Sequence, residues 1–255
     1  LPELRGSNKE FMAIRDVMAH RAGLFPWIPF YKETLVNDGN RTRPSSYFYN
    51  SKKSDVFNIK VASRMYMRGD YVNSIWDQII TGQNLQSTDY RYSDLGFIML
   101  RKVVEEVSGM PMNKFLDDTY YRPMGLYTMT FKPLEKFPLS QIAPTEDDRY
   151  FRQQVLQGDV HDMAAAMLGG VSGHAGLFSN SIHLATLMQM LINGGTYGGL
   201  NYLKPETIKV FTTRHPGGTR RGLGFDMPQT DWSLTQNVTA KASRETFGHI
   251  GFTGT

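Results

Sequence analysis

Apolar residues at Leu95, Ile98, Met99, Leu100, Val103, Val104 and Val107 recur every three or four positions. That spacing predicts an amphipathic helix with one buried stripe, so the remaining chain must supply a core for the stripe to lie against. Ser93 and Asp94 stand at its start, and both are N-cap types whose short side chains accept from the first free backbone N–H groups. Gly109 followed by Pro111 closes it, because Gly accepts the left-handed turn and Pro cannot continue the helix. Tyr92 precedes the helix mouth. The positive end of the helix dipole favours a phenolate there over a phenol. A tyrosine ordinarily titrates near pH 10, so serving as a base near neutrality requires cationic neighbours as well. Taken alone, a Tyr-Ser-Asp triplet before a helix reads as a cap with a packed aromatic beside it.

Composition bounds the fold without choosing a function. The 255 residues are 40% hydrophobic and 20% charged, with 24 Gly and 12 Pro, enough for one large core or two modest lobes. No window approaches the roughly 18 apolar residues of a membrane span, and Leu1-Pro2-Glu3-Leu4-Arg5 does not begin a signal peptide. The absence of Cys excludes disulfides, thiol catalysis and Cys-ligated zinc. The six His show no His-Glu-x-x-His spacing, so neither zinc nor another cofactor is expected. A net charge of +4 is gathered partly in residues 41–68, where Arg41, Arg43, Lys52, Lys53, Lys60, Arg64 and Arg68 surround Tyr47, Phe48 and Tyr49. No recognition motif accompanies them, so the patch reads as solvated surface and no nucleic-acid partner is expected.

Along the chain, Ile14 to Leu24 predicts a short helix with basic residues in its last turn and Gly23 as its stop. Ser7 and Glu10 have capping-box spacing and could start it earlier. Asn37 to Asp55 is rich in turn formers and reads as a surface excursion. Val61 to Met67 stays open between strand and helix. Tyr71 to Ile80 predicts a helix stopped by Gly82, and Met112 to Tyr120 a shorter one. Ile142 to Asp148 reads as an extended piece entering an acidic turn, and Asp162 to Leu168 as one or two helical turns. Between Gly169 and Gly176, four glycines in eight residues allow sharp turns and close backbone approach, without the ending of a phosphate loop. Helices follow at Leu184–Leu191, with apolar residues at 184, 187, 188 and 191, and at Glu206–Thr212 behind Pro205. Gly222 to Phe225 reads as a strand. No repeat, low-complexity tract or dividing linker appears.

Five motifs stand in order: His20-Arg21-Ala22-Gly23-Leu24, Tyr92-Ser93-Asp94, Pro123-Met124-Gly125-Leu126, Gly173-His174-Ala175-Gly176-Leu177-Phe178 and His249-Ile250-Gly251. In that order they resemble the serine β-lactamase and penicillin-binding-protein superfamily, in its class C and esterase-like branch. Ala143-Pro144-Thr145-Glu146, Val160-His161-Asp162 and Gly248 to Thr255 further resemble the β-lactamase-type module fused behind glycoside hydrolase family three domains, the β-N-acetylhexosaminidases, of some bacterial cell-surface proteins.

The resemblance implies acyl transfer by a serine with a Lys three residues later, a tyrosine that moves protons, and backbone N–H groups that hold the oxyanion. By position it makes Tyr92 the proton shuttle and Asp94 the residue that orients the Lys or the substrate amide. The family often has Asn at that place, and the extra charge of an Asp raises the Tyr92 pKa unless a Lys compensates. His249 supplies a cationic or hydrogen-bonding edge, Gly251 lets substrate lie flat against a strand, and the Phe252 N–H forms half of an oxyanion hole. Ile250 replaces a hydroxyl residue that would touch a substrate carboxylate. His174 is a candidate lining residue, though satisfaction of its ring inside the glycine-rich turn is the plainer reading, and His161 receives no role.

No Ser in the chain has a Lys three residues on. The expectation is therefore a single, incomplete β-lactamase-type domain over residues 1–255. Its fold is α+β, a β-lactamase/transpeptidase-like sandwich that is helix-rich, lacks the Ser-x-x-Lys helix and the last strands, and takes its antiparallel sheet mainly from the C-terminal third. The parent is expected to act on a β-lactam, a peptidoglycan peptide or an ester in the bacterial periplasm or at the cell surface, with this chain alone inactive. A glycosidase domain is expected before it. The alternative is a non-catalytic cell-wall-binding module, suggested by Asp94 and Ile250.

Overall fold

The computed structural model describes residues 1–39, 41–82, 87–231, 233–234 and 237–252. In chain order the main elements are α1 (Ile14–Met18), β1 (Leu35–Asn37), β2 (Thr42–Pro44), β3 (Tyr49–Asn50), β4 (Phe57–Ala62), β5 (Met65–Arg68), α2 (Tyr71–Thr81) and α3 (Asp94–Ser108). There follow α4 (Met112–Leu116), β6 (Pro144–Asp148), β7 (Gln154–Gln157), α5 (Met163–Met167), α6 (Ser181–Ile192), β8 (Thr196–Tyr197), β9 (Leu200–Asn201) and α7 (Pro205–Phe211). The architecture is α+β.

The helix before Gly109 forms as its pattern predicts, and Gly109 ends it in the left-handed conformation at φ 67°. Its stripe is buried only at the N-terminal end. Leu95, Ile98 and Met99 are in the core, whereas Val107 is 84% exposed. Around that end gather Val17 of α1, the Ala22–Tyr31 segment, the β4–β5 hairpin, Ile75 and Ile79 of α2, and Ala165–Met167 of α5. A second cluster packs α6 against Tyr121–Met129, with Met190 at its centre and Leu187 and Leu191 at its edge. Leu184, placed in that stripe by spacing, is instead exposed.

The strands form small antiparallel sheets of order β1-β2, β3-β5-β4, β6-β7 and β8-β9. This corrects two expectations. Asn37 to Asp55 is not merely an excursion, because the Asp38–Gly39 turn closes the β1–β2 hairpin, with Val36 opposite Arg43. The C-terminal third does not carry the main sheet. Among the described residues it holds the β8–β9 pair and isolated bridges of Arg221 with Asp226 and Asp226 with Gly248. Gly222 N–H donates to Phe225 O at 3.0 Å, so this stretch bends back on itself instead of running on as a strand. Ser7 and Glu10 do not start a helix; Ser7 Oγ accepts from Lys9 N–H and the Glu10 carboxylate from Gly6 N–H, which fixes a turn.

The glycine-rich segment does what its composition allows. At Gly173 an added Cβ would run into the Phe97 carbonyl oxygen of α3, so the loop lies directly on the helix backbone. This contact brings His174 close to the Asp94 end of α3.

Candidate active site

Tyr92 owes its place to the docking of residues 91–94 on the segment after α1. Arg91 N–H donates to His20 O at 2.9 Å and Asp94 N–H to Pro26 O at 2.8 Å. Ser93 N–H donates to His20 Nδ1 at 3.1 Å, and Ser93 Oγ–H to Phe25 O at 2.6 Å. Ser93 therefore occupies the N-cap position without capping, since its hydroxyl is engaged by the neighbouring chain. His20 itself sits in the left-handed region at φ 57°.

The Tyr92 ring, 41% exposed, has aromatic and cationic neighbours. The His20 ring centroid lies 4.3 Å away and the His249 centroid 6.0 Å away. The guanidinium carbon of Arg221 is 5.4 Å from the Tyr92 ring centroid and 5.7 Å from that of Tyr90. Arg221 Nε donates to Tyr90 Oη at 3.2 Å. Buried Asp226 holds this corner together: Arg220 grips it with both arms, at 2.5 and 3.0 Å, and Arg221 Nη2 stands 3.6 Å from it. The fold thus brings Tyr92 and His249 together, as the resemblance implies.

The electrostatics differ from the sequence expectation. Burial pushes the Tyr92 phenol above its ordinary value, the Asp94 charge adds to this, and Arg221 offsets only part. The helix mouth does not yield a resting phenolate. His249 is not cationic either, because burial and then Arg221 push its pKa down. Its Nδ1–H donates to Ile250 O at 3.0 Å, which leaves Nε2 as an acceptor. The hydrogen-bonding edge is present, and the cation beside Tyr92 is Arg221.

Asp94 is raised by burial and by Asp162, with His174 opposing. Behind it runs a hydrogen-bonded chain. Ser172 Oγ is 2.9 Å from His174 Nδ1, and His174 Nε2 is 2.9 Å from Asp162 Oδ1. Asp162 also caps α5 by accepting from Ala165 N–H at 2.7 Å. Burial alone would raise the Asp162 carboxyl, but His174 and the Ala165 N–H hold it below the usual range. The residue types match a hydrolytic relay, yet Ser172 is 2% exposed, which makes the chain a brace for the loop. His174 has both ring nitrogens satisfied, as the plainer sequence reading has it.

Gly251 and Phe252 lie outside any strand. The Phe252 side chain is 91% exposed and its ring stacks on His161 at 5.0 Å. Thr253 to Thr255 of that motif lie outside the described residues.

All of residues 1–255 match the family described as Beta-lactamase. The chain belongs to the β-lactamase family. A Salmonella typhimurium protein named "Putative D-alanyl-D-alanine carboxypeptidase" is 33% identical over 99% of this chain and 55% of its own length. One of the same name from Salmonella schwarzengrund is 33% identical over the whole chain and 56% of its own length. The chain spans about half the length of these curated relatives. Among solved structures, a penicillin-binding protein homologue from Caulobacter crescentus superposes with TM-score 0.56 at 17% identity, over 97% of this chain and 62% of the other. A class C beta lactamase gives 0.54 at 15%, over 92% and 51%. These likenesses show a β-lactamase/transpeptidase-like fold.

Two residues of this β-lactamase-family site escaped the sequence reading. His20 lay within the first motif but was taken as the basic end of a helix. Arg221 stood in the Arg220-Arg221 pair before Gly222, where only its charge was legible.

Proposed function

We propose that this β-lactamase-family chain forms the proton-handling side of a serine hydrolase site that removes the terminal residue of a D-alanyl-D-alanine-type peptidoglycan peptide. One observation carries the reading: the accessible Tyr92 ring is set among His20, His249 and Arg221. The names of the curated relatives favour the peptide over a β-lactam or an ester. No Ser of the chain is followed three residues later by Lys, so in this reading the attacking serine and its lysine come from outside residues 1–255. Within the family the motif texture favours the class C and esterase-like branch, and the substrate puts the work at the cell wall, in the periplasm or at the cell surface.

In the acylation step the serine oxygen bonds to the penultimate carbonyl carbon and its proton passes by way of Tyr92 to the departing amine. The raised phenol pKa keeps Tyr92 protonated at rest near neutrality, so the lysine must relieve it as the serine attacks. The Tyr92→Phe variant of the full-length protein should release D-alanine from an acyl-D-Ala-D-Ala peptide about 10²–10⁴-fold more slowly, with its circular dichroism and Tm unchanged. Equal turnover in that variant would remove the proposal.

A further inference from the structure

The β1–β2 and β6–β7 hairpins meet across an open cleft of about 500 Å³ that shares no residue with the Tyr92 corner. Arg41 and Thr42 line it from the first hairpin, and Asp147, Arg149, Tyr150 and Gln153 from the second. Gln153 Nε2 donates to Thr42 O at 2.6 Å and ties the two walls together. The second wall is braced from behind. Buried Asp148 accepts from the N–H groups of Tyr150, Phe151 and Arg152 at 3.0, 2.8 and 3.0 Å, and from Arg152 Nε at 2.7 Å. The Arg152 guanidinium, also buried, goes on to Val160 O and His161 O. The turn delivers Gln153 in the left-handed region at φ 54°, a strained conformation for such a side chain. A buried ion pair and a strained residue thus fix a turn whose outer side chains face the open cleft.

Four polar groups of the cleft have no hydrogen-bond partner among the described residues: the Arg41 guanidinium, the Thr42 and Tyr150 hydroxyls and the Gln153 amide oxygen. Arg149 is held on Asp147 Oδ2 through Nε and Nη2, both at 2.7 Å, so those two charges offset each other. Arg41 supplies the net positive charge. The Tyr150 ring is half exposed, and an edge contact with buried Tyr31, centroids 5.8 Å apart, sets its orientation. We propose that this cleft is a second, non-catalytic binding site, for a saccharide that carries one carboxylate. The aromatic ring takes the C–H face of a sugar, the amide and hydroxyls take its polar substituents, and the planar guanidinium takes the acid. The volume lies within the range of small-ligand sites. A single net charge, with Asp147 beside it, disfavours a dianion such as phosphate. The inference goes beyond the acyl-transfer reading of Tyr92 and does not rest on it.

Two sugars that differ at the acid provide the test. Saturation-transfer NMR on the full-length protein compares N-acetylmuramic acid, whose lactyl ether ends in a carboxylate, with N-acetylglucosamine, the same ring without it. D-Lactate and inorganic phosphate are added as competitors. The acid sugar is expected to bind about three- to tenfold more tightly than the neutral one, with the preference shrinking as salt rises. Arg41→Gln should erase the preference and Arg41→Lys should keep part of it. Tyr150→Ala should weaken both sugars about two- to tenfold, and Tyr150→Phe much less. Both side chains are exposed, so these variants should fold. Equal binding of the two sugars, absence of saturation transfer to either, a preference that survives in Arg41→Gln, or unchanged binding in Tyr150→Ala would each overturn the proposal. So would lactate or phosphate displacing the acid sugar as strongly as the acid sugar displaces itself, since the cleft would then bind anions and not a saccharide. Tyr92→Phe protein should bind both sugars as wild type does, and a loss there would move the sugar to the Tyr92 corner. Absence of D-alanine release would sink the hydrolase reading and leave the cleft standing.

Discussion

The imidazole of His20 packs 4.3 Å from the ring of Tyr92, and it does so uncharged. Its Nδ1 accepts the Ser93 N–H, so the ring proton must sit on Nε2, which is buried. Burial, reinforced by Arg221 and His249, pushes its pKa down to about 4. The same backbone bond that presents Tyr92 therefore requires a neutral neighbour. This couples the position of the tyrosine to pH.

That coupling predicts an acid-sensitive stability. His20 takes up a proton near pH 6.5 when unfolded but only near 4 when folded, so the unfolded state binds more protons between those values. Stability should be full above pH 6.5 and fall as pH drops toward 4, by about 3 kcal/mol at most from this residue. His249 shifts in the same direction and adds to the fall. In His20→Asn the side-chain oxygen can still accept from Ser93 N–H, Asn tolerates the left-handed backbone, and the titration is gone. Urea midpoints at pH 7.5 and 4.5 should differ clearly less in this variant than in wild type. An unchanged difference would assign the acid sensitivity elsewhere.

Asp94 offers a second handle. After burial, its charge is the largest influence holding the Tyr92 phenol up, and Arg221 opposes it. Asp94→Asn removes that charge with little change in shape, and the backbone bond from residue 94 to Pro26 O is kept. The Tyr92 pKa should fall. The rise of D-alanine release with pH should then move to lower pH in the full-length variant. A profile that stays put, or moves upward, would show that Asp94 does not act on the tyrosine through its charge.

How much of this was legible depended on whether a signal was local. The α3 helix could be read at both ends because stripe, Gly109 and Pro111 agree, and Pro205 announced α7 in the same way. The β4–β5 hairpin could not, because its turn places Arg64 at φ 52° where a Gly or Asn would have given the signal. Gly222 to Phe225 carried a strand pattern, but the bond from Gly222 N–H to Phe225 O closes it locally. In the site, the nearness of Tyr92 and His249 was what the family resemblance implied. Burial did not, and burial is what neutralises both histidines and leaves Arg221 as the cation.

The chain from Ser172 through His174 to Asp162 supplies the last prediction, because its residue types invite a catalytic reading that its burial opposes. As a brace, it should matter to stability and not to turnover. Ser172→Ala removes one buried hydrogen bond and should cost about 1 kcal/mol. His174→Ala removes the partner of both neighbours and leaves the buried Ser172 hydroxyl unsatisfied, so about 2–3 kcal/mol is expected. The double variant should cost less than the sum, since the Ser172–His174 bond is lost only once. Urea unfolding at pH 7 measures all three. D-alanine release by the full-length Ser172→Ala protein should stay within about twofold of wild type, because Ser172 is 2% exposed and cannot meet a substrate carbonyl. A folded Ser172→Ala protein that had lost turnover would make Ser172 the nucleophile, with His174 as its base, and would overturn the assignment of the proton path to Tyr92.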